Sequence, residues 1–218
     1  DLAIRIVDAV VQAMRPLGVP VTLKMRTGWC HEQRNAPLLA HAAQEVGVAL
    51  VTVHGRSREQ GYGGSAEYDT IAEIKSRLRI PVVANGDIDS AAKAREVLRA
   101  TGADAVMIGR AALGRPWLPG HIARALREGV EPPPPGAAEQ GRWLLEHLRA
   151  HHAHYGASGI ASARTHVGWA VAPLPGGAAF RARFNTLAEP DAQLDAVADF
   201  FDTLPADDTA FTPWAHAA

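Results

Sequence analysis

At 218 residues, 47% hydrophobic and 21% charged with a formal net charge of −1, the chain has a globular composition sufficient for one or two domains. No apolar run approaches the roughly 20 residues of a membrane-spanning helix, and no signal-peptide pattern opens the sequence. A single cysteine, Cys30, excludes an internal disulfide framework and suits a reducing, cytoplasmic setting.

The chain begins without Met and already inside an amphipathic helical pattern, LAIRIVDAVVQAM, so it reads as a fragment of a longer protein. Four β-branched runs bounded by Pro or Gly follow: VPVTLKM (19–25), ALVTVHG (49–55), IPVVANGDI (80–88) and ADAVMIGRA (103–111). Helical stretches are expected near 33–47, 68–78, 90–101 and 117–128, with Asp69 and Ser90 as N-caps and Gly102 as a stop. The steps from Lys24 to His54 to Asn85 to Gly109 are 30, 31 and 24 residues, the βα repeat of a parallel sheet. Polar chemistry at every strand's carboxyl end favours an eightfold barrel over a doubly wound sheet, which gathers its ligand at one switch point. Four units amount to half of such a barrel. The segment EGVEPPPPG (128–136) reads as a stiff, extended spacer. Helical patterns then return at 138–155, 158–171 and 191–203, broken by Gly and Pro at 173–177. The expected organisation is a half barrel over 1–129, a Pro-rich linker over 130–137 and a small all-α domain over 138–218. Charge divides with it: residues 142–183 hold five Arg, five His and one Glu, whereas 184–218 hold seven acids and no Lys or Arg.

The densest chemical signal is a near-repeat. VTLKMR (21–26) and VTVHGR (51–56) carry Lys24 and His54 at matching positions, with Arg26 and Arg56 two residues beyond. Strand periodicity puts Thr22, Lys24 and Arg26 on one face, and Thr52, His54 and Arg56 on one face. Burying such groups without partners costs several kcal/mol, so two neighbouring strands that carry them suggest one shared polar site. Asn85-Gly86-Asp87 could be a simple turn. Together with Gly109-Arg110, where Gly admits backbone approach and Arg offers a fork of donors, it is a phosphate signal. Asp87 alone reads as a residue that orders the loop. Cys30 follows a strand end without a spaced basic partner and reads as an incidental loop cysteine. His147, His151, His152 and His154 include helical spacings, but EHLRAHH is not HExxH and no third ligand is evident. They read as a solvated basic helix face suited to RNA phosphates, and no metal site is expected.

KMRTGW, HGRSREQGY, IPVVANGDI, TGADAVMIGRAALGRPW and ARTHVGWAVAPLPG followed by FRARFNTL closely resemble the bacterial tRNA-dihydrouridine synthases of the B-type subfamily. The resemblance covers nearly the whole chain. It implies an FMN-binding (β/α)8 TIM barrel, here about strands 5–8, with NADPH as reductant and a D-loop uridine of tRNA as substrate. It further implies a helical tRNA-binding domain in a monomer. By the same resemblance Lys24, His54, Asn85, Gly86, Asp87, Gly109 and Arg110 contact the cofactor, and Arg26, His54 and Arg56 the RNA. The family's acid, a cysteine after the fourth strand, would lie upstream of Asp1, and Cys30 does not replace it. The fragment alone is therefore expected to be inactive. Two other readings stay open: an FMN barrel acting on a free dihydropyrimidine, and a non-catalytic RNA-binding fragment.

Overall fold

A computed structural model describes residues 2–205. The order is α1 (Leu2–Met14), β1 (Thr22–Arg26), α2 (Ala36–Glu45), β2 (Leu50–His54), α3 (Asp69–Arg77), β3 (Val82–Asn85), α4 (Ala91–Thr101), β4 (Ala105–Met107) and α5 (Leu118–Glu128). Then come α6 (Ala137–Tyr155), α7 (Ala157–Val171), α8 (Gly177–Phe184) and α9 (Pro190–Asp202). The described residues divide into two compact units: 2–111 with 118–130, and 112–117 with 131–205. The second unit thus takes in most of the Pro-rich stretch, where the buried Gln140 donates to the Pro135 carbonyl at 2.7 Å. It also takes in 112–117, upstream of the expected boundary.

In the first unit the described strands are all parallel, in the order β1-β2-β3-β4. Alternation sorts their side chains. Val51, Val53, Val82 and Ala84 are fully buried and, with Leu23, Met25 and Val106, pack against the helices. The helices answer with small residues, Ala36, Ala40 and Ala43 on α2 and Ala91 and Ala94 on α4, which let backbones approach the sheet closely. The other face carries Lys24, Thr52, His54 and Asn85. Consecutive strand order with the packed helices on one face makes this a singly wound α/β sheet.

Local signals explain both ends of α4. Ser90 Oγ accepts from the Lys93 N–H at 3.2 Å and caps α4, and Gly102 closes it in a left-handed conformation at φ 66°. Asp69 is not a cap. It lies inside α3, and the Glu67 carboxylate instead accepts from the Thr70 N–H at 3.0 Å.

The second unit packs Leu144, Leu148, Val167, Val171, Phe184 and Val197 with Phe180 and Phe200, whose rings stack at 4.3 Å. The Gly/Pro break is short. Gly176, at φ 72°, turns the chain into α8, a helix the sequence pattern does not announce. The histidines of α6 are not one solvated face: His151 and His152 are buried, because their side of the helix packs inward, while His147 and His154 lie at the surface.

Replacing Ser90 by Ala is expected to cost about 1 kcal/mol, since the first turn of α4 loses its side-chain acceptor. Urea denaturation should show a lower midpoint at unchanged slope.

Candidate functional site

The site grows from strand register. Arg26 pairs with His54, His54 with Asn85, and Asn85 with Met107, so these four form one row across the carboxyl ends of the strands. Lys24 pairs with Thr52, one same-face step earlier. The expectation that Lys24 and His54 lie at equal depth is therefore corrected. The strands are offset by two residues, and the two groups are diagonal neighbours on the polar face.

Around that row the first part of the β2–α3 connection, residues 55–66, is bound from both sides. Its backbone extends the β1–β2 ladder: Thr27 N–H donates to the Arg56 carbonyl at 3.2 Å, and Arg58 N–H to the Gly28 carbonyl at 2.9 Å. Arg26 donates from one Nη to the Ser57 and Gly61 carbonyls, both at 2.8 Å. Arg56, only 2% exposed, donates to both Asp87 carboxylate oxygens at 2.7 Å and to the Gly63 and Gly64 carbonyls. The expectation that Arg56 meets RNA is corrected by this geometry. Its guanidinium is buried and its donors point into the protein.

Asp87 is the matching half of that clamp. It also accepts from the Ala66 N–H at 2.8 Å and lies 3.4 Å from Arg110. Burial works to raise its pKa, but hydrogen bonds from Arg56 and Ala66, with the charges of Arg56 and Arg110, hold the carboxyl below its usual range. Its backbone sits at φ 48°, and Gly86 before it at φ 126°. Gly86 has a second reason to be glycine: a Cβ there would lie 2.7 Å from the Ala66 Cβ and 3.1 Å from the His54 ring. Tyr68 completes the corner by donating to the Gly86 carbonyl at 2.8 Å, and burial, then Asp87, pushes its phenol up to about 12.

His54 is buried beneath this loop. Desolvation, then the charges of Arg26, Lys24 and Arg56, lower its pKa to about 4, so the imidazole is neutral at pH 7. Lys24 is exposed and its pKa is lowered, first by partial desolvation and then by Arg26. Asn85 is buried and donates to the Met107 carbonyl at 2.8 Å. A Cβ on Gly109 would meet no heavy atom within 4 Å, so that backbone is open to approach. Arg110 follows it, exposed, 4.5 Å over the Tyr62 ring, while Arg26 lies 5.6 Å from the same ring. The cations Lys24, Arg26, Arg56 and Arg110 against Asp87 leave the row net positive.

The structure thus gathers Lys24, Arg26, His54, Arg56, Asn85, Gly86, Asp87, Gly109 and Arg110 at one end of the sheet. Cys30 sits half-exposed in the loop after β1. Sequence reasoning missed Tyr62 and Tyr68. Tyr62 lies within the HGRSREQGY motif, but loop residues have no periodicity to assign a direction. Tyr68 precedes α3 and looked like helix-start context.

Asp87→Asn removes the charge that matches Arg56 and is expected to destabilise the first unit by about 3 kcal/mol, readable by chemical denaturation. The His54 shift makes a separate pH prediction. Its folded pKa lies below the unfolded value, so its contribution to stability is intact above about 6.5 and is lost as pH falls from 6.5 towards 4. An NMR titration of the His54 ring should give a midpoint near 4; a midpoint near 6.5 would contradict the burial argument.

A family model described as dihydrouridine synthase matches residues 1–204. The chain is 56% identical over 205 residues to tRNA-dihydrouridine synthase B of Xanthomonas axonopodis pv. citri, covering 94% of this chain and 61% of that protein. To the protein of the same name in Xanthomonas campestris pv. campestris it is 52% identical over 219 residues, covering 100% of this chain and 64% of that one. With the Pseudomonas aeruginosa protein of that name the identity is 50% over 201 residues, covering 92% and 60%. The chain spans about three-fifths of the length of these relatives. It belongs to the dihydrouridine synthase family.

Proposed function

We propose that the chain forms one wall of a flavin pocket in an enzyme that reduces a D-loop uridine of tRNA to 5,6-dihydrouridine. In this reading the four βα units are the C-terminal half of a (β/α)8 barrel, FMN is the cofactor and NADPH the reductant. The supporting observation is the row at the strand ends: exposed Lys24, neutral His54, open Gly109 and exposed Arg110 on one net-positive edge. That donor set fits a flavin mononucleotide. An approachable glycine backbone beside an unburied guanidinium suits its phosphate, and a lysine cation suits its electron-rich ring.

Bound there, the flavin would supply the hydride that reduces the C5–C6 double bond of uracil. The chain's residues do the rest. Lys24 sets a fixed positive charge against the ring. Arg110 and the Gly109 backbone hold the phosphate end. His54, neutral at working pH, offers one N–H and one lone pair, so it can orient a flipped-out uracil through hydrogen bonds without delivering a proton. The proton for C5 comes from a different group, consistent with the cysteine acid implied by the family resemblance. Asp87 and Arg56 hold the loop that shapes the pocket's rim, where Arg26 is half-exposed.

The second unit is the tRNA-binding part in this reading. Arg142, Arg149, Arg181 and Arg183 are exposed on it, the arrangement that backbone phosphates call for.

In cells whose genomic copy carries Lys24→Ala, mass spectrometry of bulk tRNA should show loss of the dihydrouridine this protein installs. For the purified variant, FMN binding followed by fluorescence should weaken about tenfold or more, the loss of one charge-assisted contact. Unchanged dihydrouridine in the variant cells would overturn the reading.

A further inference from the structure

The second unit contains a histidine cluster that the proposed reaction does not use. His147 and His151 stand four residues apart on one face of α6, and His166 reaches them from α7. One ring nitrogen of each lies within 4.8 Å of the other two. The His147–His166 and His151–His166 ring centroids are 5.0 Å and 5.3 Å apart, with the rings edge to face. The sequence gives only the α6 pair; the fold supplies the third imidazole.

Two features fit this cluster to a metal ion better than to side-chain packing alone. His151 is buried with its Nε2 2.8 Å from Ser162 Oγ, and that hydroxyl donates to the Ser158 carbonyl at 3.2 Å. A hydroxyl so engaged can accept from an Nε2–H, which leaves Nδ1 its lone pair and pins the ring by an outer partner, as metal-bound histidines typically are. In addition, His147 and His166 line a cavity of about 650 Å³ together with Trp117, Trp143, Trp169 and Glu146, so the cluster has room beside it.

We propose that His147, His151 and His166 form a binding site for a divalent transition-metal ion of the zinc class, with its fourth position facing that cavity. Tetrahedral imidazole ligation at about 2.0–2.1 Å sets nitrogens about 3.4 Å apart, so small side-chain rotations close the cluster on an ion. The ion would tie α6 to α7. Ligand set and open position together suit zinc, cobalt or nickel, and do not suit magnesium or calcium, which take oxygen ligands.

The test uses the whole metal-stripped chain titrated with Co²⁺ and Zn²⁺. The expected result is one Co²⁺ per chain with the visible bands of tetrahedral coordination, displaced by Zn²⁺, and a melting temperature raised by Zn²⁺. His166→Ala should weaken binding by about 100-fold and Ser162→Ala by about tenfold, whereas His154→Ala, an exposed histidine outside the cluster, should leave it unchanged. Circular dichroism confirms that each variant retains its helices. No binding at micromolar ion, or equal weakening by His154→Ala and His166→Ala, would overturn the site.

Discussion

A guanidinium that is almost wholly buried must have its charge matched, and in this protein Asp87 matches Arg56. That constraint fixes the geometry of the strand ends. Arg56 follows β2 and Asp87 follows β3, so their pairing draws the two following loops together over His54. A lysine could not replace it, because the planar fork reaches both carboxylate oxygens and two loop carbonyls at once. The net stability of such a pair is modest, since desolvation offsets much of the attraction. Its contribution is positional: any other path for residues 55–66 leaves a buried charge without its counterion.

The same pair shapes the electrostatics of the strand ends. Asp87 works to raise the His54 pKa, but burial and three cations outweigh it. The row therefore contains two kinds of group. Lys24 and Arg110 remain charged and exposed, suited to holding anions, while His54 remains neutral and suited to reading an uncharged ring by hydrogen bonds. A loop without the Arg56–Asp87 clamp would let water reach His54 and return it towards ordinary titration, erasing that division.

Much of this was legible in the sequence because it depends on period. Four β-branched runs at a βα spacing give the strands, and alternation gives the polar face. What the sequence could not give is register. Counting from each run's first Val sets Lys24 beside His54, but the hydrogen-bonded ladder aligns Lys24 with Thr52. Adjacent strands of a curved parallel sheet are staggered, and a stagger leaves no trace in composition. Arg56 failed for a related reason: alternation was extended past the end of β2, where the backbone has already turned. Asp69 lies one residue past the cap position, and Glu67 reaches forward to the first turn instead. His166 lies 15 residues beyond His151, on another helix, where only tertiary packing brings it close.

The two glycines of the presumed phosphate signal separate on physical grounds. Gly86 adopts φ 126° and lies against Ala66 and His54, so its missing side chain is already accounted for by internal packing. Its neighbours are likewise engaged: the Asn85 amide donates to Met107, and the Asp87 carboxylate is held by Arg56 and Ala66. Gly109 has an unremarkable φ and empty space where a Cβ would be. The Gly109 backbone is therefore open to approach from outside, where the Gly86 backbone is closed off by Ala66 and His54. Asn85, Gly86 and Asp87 are thus engaged within the protein, whereas Gly109 and the exposed Arg110 keep an approachable backbone and guanidinium at the same strand ends.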